Sequence, residues 1–178
     1  MFWISLRREH RRWTQQTEQA QQWVAVEPSR LSETAPHVSG WSPAQHLHHV
    51  ADINHQILEQ LTGDDMTDSA DGADKGLNLA GYVLITLGRL PRGRAQAPTA
   101  FRPPDTVDLD ALANRIGGNR QRLGTLADRL GALRQAVRRF PHPVLGHLDA
   151  SEWLRFARIH TGHHHRIIRD IVDEIPDA

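Results

Sequence analysis

Cysteine is absent from the chain, and this absence removes several classes of chemistry. Among its 178 residues there is no disulfide, no thiolate nucleophile and no cysteine ligand for zinc. A metal would have to be held by His, Asp or Glu side chains. A chain of this length can bury a core without a disulfide or a structural metal, so we expect a bound metal to be functional rather than structural.

Net charge is also absent, because 21 basic residues balance 21 acidic ones. Affinity for nucleic acid comes mainly from neutralising phosphates, so this balance argues against a dedicated nucleic-acid-binding protein. No apolar run approaches the roughly 18 residues of a membrane-spanning helix, and the N-terminal residues lack the pattern of a signal peptide. We therefore expect a cytoplasmic protein that forms one domain over residues 1–178.

The pattern of apolar residues predicts helices and no strands. Ser42, Pro43 and Gln45 form a strong helix start, with a capping Ser, a Pro at the first helical position and an S-x-x-Q capping box. Asp149 and Glu152 have the same spacing before the last helix. The predicted helices cover residues 5–26, 42–63, 77–90, 107–137 and 150–174, with connections at 62–76 (a mobile loop), 91–104 (extended) and 138–149 (a loop). The expected fold class is all-α: a four-helix bundle with an extra short helix and long crossover connections.

The twelve histidines are clustered, which is the most informative feature of the sequence. His160 and His164 are four residues apart, so they lie on one face of a helix where two imidazoles can converge on one ion. His46 and His49 lie on the side of the 42–63 helix that we expect to face the core. These positions are explained equally well by a metal site and by hydrogen bonds to the backbone or to carboxylates such as Asp52.

The two histidine-rich segments carry a family resemblance. The segment W-S-P-A-Q-H-L-H-H-V-A-D at 41–52 resembles the second-helix signature of the DinB/YfiT-like superfamily of metalloenzymes, and the segment from Gly146 to Arg166 resembles its final helix. The resemblance implies an up-down-down-up bundle and a divalent metal held by His49, His160 and His164. His165 is an extra histidine that departs from the family's pattern. If the two ligands of the last helix were moved by one residue, His165 would be paired with Thr161, which is a poor ligand. His160 and His164 therefore remain the predicted pair.

Three histidine ligands predict a particular kind of metal site. Such a site leaves a fourth position for water, as in catalytic zinc sites, which favours metal-assisted hydrolysis or group transfer. Zinc or nickel suits an all-imidazole site better than iron or manganese does. Members of the superfamily include transferases that use low-molecular-weight thiols such as bacillithiol or mycothiol, so a small-molecule thiol is the implied cosubstrate.

Two neighbouring residues are candidate catalytic groups, each with a structural alternative. Asp52 follows His49 by one helical turn and could act as a base or form a surface salt bridge. His163 could support the ligands or be an exposed polar residue. In the 138–149 loop we expect His142 and His147 to be exposed. Two further readings stay open: a non-catalytic metal-binding stress or interaction protein that uses the bundle for dimerisation, and a metal-free bundle.

Overall fold

The structure, a computed structural model, describes residues 4–26, 28–64, 66, 70–93 and 99–175. Within these residues most of the chain is helical, as predicted. The elements in chain order are α1 (Leu6–Val26), α2 (Pro28–Leu31), α3 (Pro43–Thr62), α4 (Leu79–Leu87), a 3-10 turn (Thr99–Phe101), α5 (Leu109–Leu133), β1 (Phe140–His142), β2 (Gly146–Leu148) and α6 (Ala150–Glu174).

The four long helices α1, α3, α5 and α6 form the bundle, in which α1 and α3 each pack against both α5 and α6. Side-chain contacts fix the direction of each pair. The helices α1 and α6 run parallel, α3 and α5 run parallel, and α3 and α6 run antiparallel. For α1 and α6 the contacts are Glu9–Arg155 and Gln19–His165. For α3 and α5 they are Ala51–Asn119 and Thr62–Arg129. For α3 and α6 they are His46–His164 and Asn54–Thr161. The topology is therefore up-down-down-up.

The core follows the apolar stripes of these helices. Side chains three or four positions apart on each helix face the bundle axis, which is the spacing that puts them on one side of a helix. On these four helices the largest of the fully buried side chains are Trp13, Leu47, Leu58, Leu61, Leu112, Leu123, Leu126, Leu133, Leu154 and Ile159. These side chains fall in two hydrophobic clusters, each of which joins residues from α1, α3, α5 and α6.

Both predicted capping boxes are confirmed. The Ser42 hydroxyl accepts from the backbone N–H of Gln45, and the Gln45 side chain accepts from the N–H of Ser42 at 2.9 Å. Asp149 and Glu152 make the same reciprocal pair, at 2.9 Å in both directions. These caps satisfy N–H groups that the first helical turn leaves without partners, and they fix where the two histidine-bearing helices begin.

The connections differ from the prediction in several places. The prediction of no strands is wrong, because β1 and β2 pair antiparallel within residues 138–149. Three-residue strands are too short to show an alternating pattern, and Gly146, with φ of 87°, supplies the left-handed conformation after the turn. The short helix α2 was not expected. The helix predicted over 107–137 ends at Leu133, and the one predicted over 77–90 spans Leu79–Leu87, closed by the left-handed Gly88.

Two predicted connections lie partly outside the described residues. In the 62–76 loop this applies to residues 65 and 67–69, and in the 91–104 stretch to residues 94–98. The described end of the second stretch forms a 3-10 turn, so it is not fully extended. Among the helices the structure describes, none combines the length and apolar character that crossing a membrane requires.

Candidate metal centre

Three histidines from two helices meet inside the bundle. His49 lies in the second turn of α3, and His160 and His164 lie one turn apart near the middle of α6. Each offers one ring nitrogen, and these three nitrogens all lie within 4.8 Å of one another. Because α3 and α6 are antiparallel neighbours, residues far apart in sequence reach the same point. The structure thus brings together the three predicted ligand residues.

The hydrogen bond of His49 decides which of its nitrogens can bind a metal. Its Nδ1 lies 2.7 Å from the backbone oxygen of Phe101. A carbonyl oxygen only accepts, so Nδ1 carries the proton and Nε2 keeps its lone pair. That Nε2 lies 3.2 Å from Nε2 of His160. Two nitrogens bound tetrahedrally at about 2.0–2.1 Å from one zinc ion would be about 3.3 Å apart, so the spacing fits shared coordination.

The protonation state of the cluster also suits a metal. Burial lowers the pKa of His160 and of His164 well below the usual imidazole value, and the neighbouring imidazoles lower both further. Burial lowers the pKa of His49 as well, against an opposing effect of its hydrogen bond to Phe101. All three rings are therefore neutral near pH 7, which is the form in which histidine binds metals. The residues present fit a divalent transition metal.

Aromatic rings pack against all three imidazoles of the cluster. The Trp41 ring centroid lies 5.4 Å from that of His49 and 6.5 Å from that of His164. The Phe156 ring stacks on His160 with centroids 5.6 Å apart. These rings limit the rotation of the imidazoles and reduce the contact of the cluster with water. Trp41 therefore packs directly against the histidine cluster.

Comparison with known proteins agrees with this architecture. A family model described as the DinB superfamily matches residues 7–168, a range that includes His49, His160 and His164. The chain belongs to the DinB superfamily. A search of curated proteins and a search of solved structures each found no match. As a DinB-superfamily protein with three converging histidines, the chain is compatible with metal binding, and neither the metal nor a reaction follows from the match.

Asp52 lies on the outer side of α3 in a surface ion-pair group. Its carboxylate pairs with Arg115 at 3.3 Å and with His48 at 3.5 Å. Its negative charge raises the pKa of His49, although burial outweighs this effect. These contacts are those of a surface salt bridge, which was the alternative to a catalytic role for Asp52. A role for Asp52 as a base stays a prediction.

His163 is half-buried and lies next to the cluster. Its ring centroid is 5.2 Å from that of His164, at an interplanar angle of 89°. Burial and the positive charges of Arg166 and Arg92 lower its pKa to about 4, while a hydrogen bond to the backbone of Leu90 opposes the shift. It is therefore a neutral imidazole beside a predicted ligand, and its catalytic role also stays a prediction.

His165 faces away from the cluster, which supports the predicted register. Its ring packs edge-on against Trp23 at 4.6 Å, and its Nδ1 lies 3.3 Å from Gln19 Oε1. Thr161, the partner of the alternative register, instead hydrogen bonds to Asn54. His165 therefore contacts α1, and His160 and His164 are the pair that faces α3.

Three features near the cluster were missed or misplaced. His142 was expected to be exposed, but it is partly buried against Trp153 and Phe156, and burial lowers its pKa to about 4. The carbonyl of Phe101 could not be found from sequence, because any residue supplies a backbone oxygen. His46 shares a helix face with His49, yet its contact with His164 depends on the packing of α3 against α6.

Proposed function

We propose that this DinB-superfamily chain is a metalloenzyme that binds one divalent transition metal through His49, His160 and His164. The observation that carries the proposal is the convergence of three neutral imidazole nitrogens, two of them 3.2 Å apart. An all-nitrogen set favours zinc or nickel over manganese or iron. When bound, the metal would supply Lewis acidity at a position left free by its three protein ligands.

The proposed reaction is a thiol-dependent transfer or a metal-assisted hydrolysis of a small molecule. The chain has no cysteine, so a reacting thiol must come from a low-molecular-weight cosubstrate. The protein's own residues hold the ligand set: Phe101 fixes the tautomer of His49, and Trp41 and Phe156 pack against the imidazoles. Of the two candidate acid–base groups, His163 is the better placed, since its ring is next to His164.

Metal analysis of the purified protein tests the first part of this proposal. We expect one zinc or nickel per chain. We expect His160→Ala to lose it while the helical circular dichroism signal is retained, because apolar side chains of all four long helices form the core. His55→Ala is the matched control, since His55 lies on the outer side of α3, where it pairs with Glu59. A wild-type protein that binds no metal at micromolar concentration would favour the metal-free bundle.

Measurement of catalytic turnover tests the second part of the proposal, which is the reaction. Conjugation of a small electrophile by a low-molecular-weight thiol, or hydrolysis of an activated ester or amide, should depend on the added metal and be lost in His49→Ala. The His55→Ala control should keep the activity. If metal binds tightly and a panel of both reaction types shows no metal-dependent turnover, a non-catalytic metal-binding role replaces the enzyme proposal. Dimerisation, also predicted, is checked by sedimentation of the same samples.

A further inference from the structure

A fourth histidine, His46, contacts the cluster without belonging to the three predicted ligands. Its side chain is only 3% exposed. Its Nδ1 lies 2.8 Å from Nδ1 of His164, and its Nε2 lies 2.9 Å from the Ser39 hydroxyl oxygen. The same hydroxyl oxygen accepts from the backbone N–H of Trp41 at 3.1 Å. Both ring nitrogens of His46 are therefore engaged by other groups.

The contact between the two Nδ1 atoms admits two proton arrangements. A hydrogen bond needs one proton between these nitrogens, so either His46 or His164 donates. If His46 donates, neutral His164 must carry its own proton on Nε2, and that nitrogen then has no lone pair for a metal. If His164 donates, its Nε2 is free to bind. Only the second arrangement is compatible with His164 as a ligand.

The surroundings of His46 can support the second arrangement. When Nδ1 of His46 accepts, its own proton lies on Nε2, which then donates to the Ser39 hydroxyl oxygen. A serine oxygen has two lone pairs, so it can accept from His46 and from the N–H of Trp41 together. Each hydrogen bond in the series that links Trp41, Ser39, His46 and His164 then has one donor and one acceptor. The Trp41 ring, 5.3 Å from that of His46, packs against the same side chain.

We propose that His46 is a positioning residue that accepts the Nδ1 proton of His164 and thereby holds His164 in the tautomer and orientation that bind metal. It does for His164 what the Phe101 carbonyl does for His49. This inference rests on the proposed three-histidine metal site. Hydrogen-bonding partners behind a metal ligand fix its ring and increase its basicity, and their loss typically costs about 10–100-fold in metal affinity.

The test is the affinity for zinc, measured by competition with a chromogenic chelator, in two substitutions of His46. His46→Phe keeps an aromatic ring but has no acceptor, and we expect it to bind zinc about 10–100-fold more weakly. His46→Asn places an amide oxygen near the former Nδ1 and should recover most of that loss. His48→Phe, one turn from Asp52 and outside the cluster, is the control and should bind as the wild type does. Thermal unfolding in a chelator shows whether each variant is folded.

The outcomes separate this inference from the proposed function. If His46→Phe binds zinc within about threefold of wild type while His160→Ala does not bind, the metal site stands and the role of His46 is overturned. If the wild type itself binds neither zinc nor nickel, the proposed function fails and this inference fails with it.

A second measurement does not depend on how well the variants fold. Long-range nitrogen–proton correlation spectra of the metal-free wild type assign the tautomer of His164. A proton on Nδ1 of His164 supports the proposal, and a proton on Nε2 contradicts it.

Discussion

Glu9 is the most deeply buried carboxylate in the described part of the chain, and its replacement tests how α1 is held against α6. Its side chain is 1% exposed and lies between two arginines of α6, with Oε1 3.0 Å from Arg155 Nη1 and Oε2 2.6 Å from Arg158 Nε. Arg155 also donates to the backbone oxygen of Ile85 at 2.7 Å, which links α4 to the same group. This group lies on the turn of α6 that precedes His160.

The substitution Glu9→Gln keeps the shape and removes the charge. One amide N–H₂ group then faces a guanidinium, so two donors oppose each other and two cations lose their counter-charge. Removing one partner of a buried ion pair costs about 3–5 kcal/mol. The arginine side chains keep 18% and 16% of their exposure, so water compensates in part and we expect a loss near the lower end of that range. For a chain of this size a loss of about 3 kcal/mol lowers Tm by roughly 6–12 °C.

Urea unfolding in the presence of a chelator measures this effect without a contribution from metal. Glu18→Gln, on the same helix, is the matched control, because Glu18 and Arg120 form an exposed pair at 3.7 Å with side chains 45% and 56% exposed. Such a pair contributes at most about 1 kcal/mol. If the two variants lose the same free energy of unfolding, the buried ion pair does not hold these helices together.

Two further predictions concern stability. Burial lowers the pKa of His142, His163 and His165 to about 4 and that of His46 to about 3. Between pH 6.5 and about 4 the unfolded chain therefore binds more protons than the folded chain does. The metal-free protein should therefore lose up to about 1.4 kcal/mol per pH unit for each such histidine below pH 6.5, and a free energy of unfolding that is unchanged from pH 7 to pH 5 in urea titrations would refute this. Leu58→Ala, at a fully buried core position, should cost about 2–5 kcal/mol in the same assay, whereas a loss under about 1 kcal/mol would place Leu58 outside the core.

The long helices could be predicted from the sequence because their signals are local. The capping boxes at Ser42 and Asp149 need only residues within one turn, and both predicted starts are found. The β-hairpin could not be predicted in the same way. Its two strands have three residues each, and their pairing depends on the left-handed Gly146 and on the contact of the hairpin with α6.

In the candidate site, too, the features that depend on local sequence could be predicted and those that depend on tertiary packing could not. The spacing of His160 and His164 places both on one face of a helix, but only the family resemblance connected them with His49. The contacts behind the ligands depend on tertiary packing: the Phe101 carbonyl reaches His49 from a 3-10 turn, and His46 meets His164 across two helices. His142 was misplaced for a related reason, because its burial depends on Trp153 and Phe156 of a different element.

The central claim is that His49, His160 and His164 bind the same ion, and X-ray absorption of the protein loaded with one equivalent of zinc tests it most directly. We expect three imidazole nitrogens at about 2.0–2.1 Å from the zinc, and a spectrum with two imidazoles in His160→Ala if any zinc is retained there. A wild-type spectrum with fewer than three imidazoles, or one unchanged by that substitution, would contradict shared coordination by these three histidines.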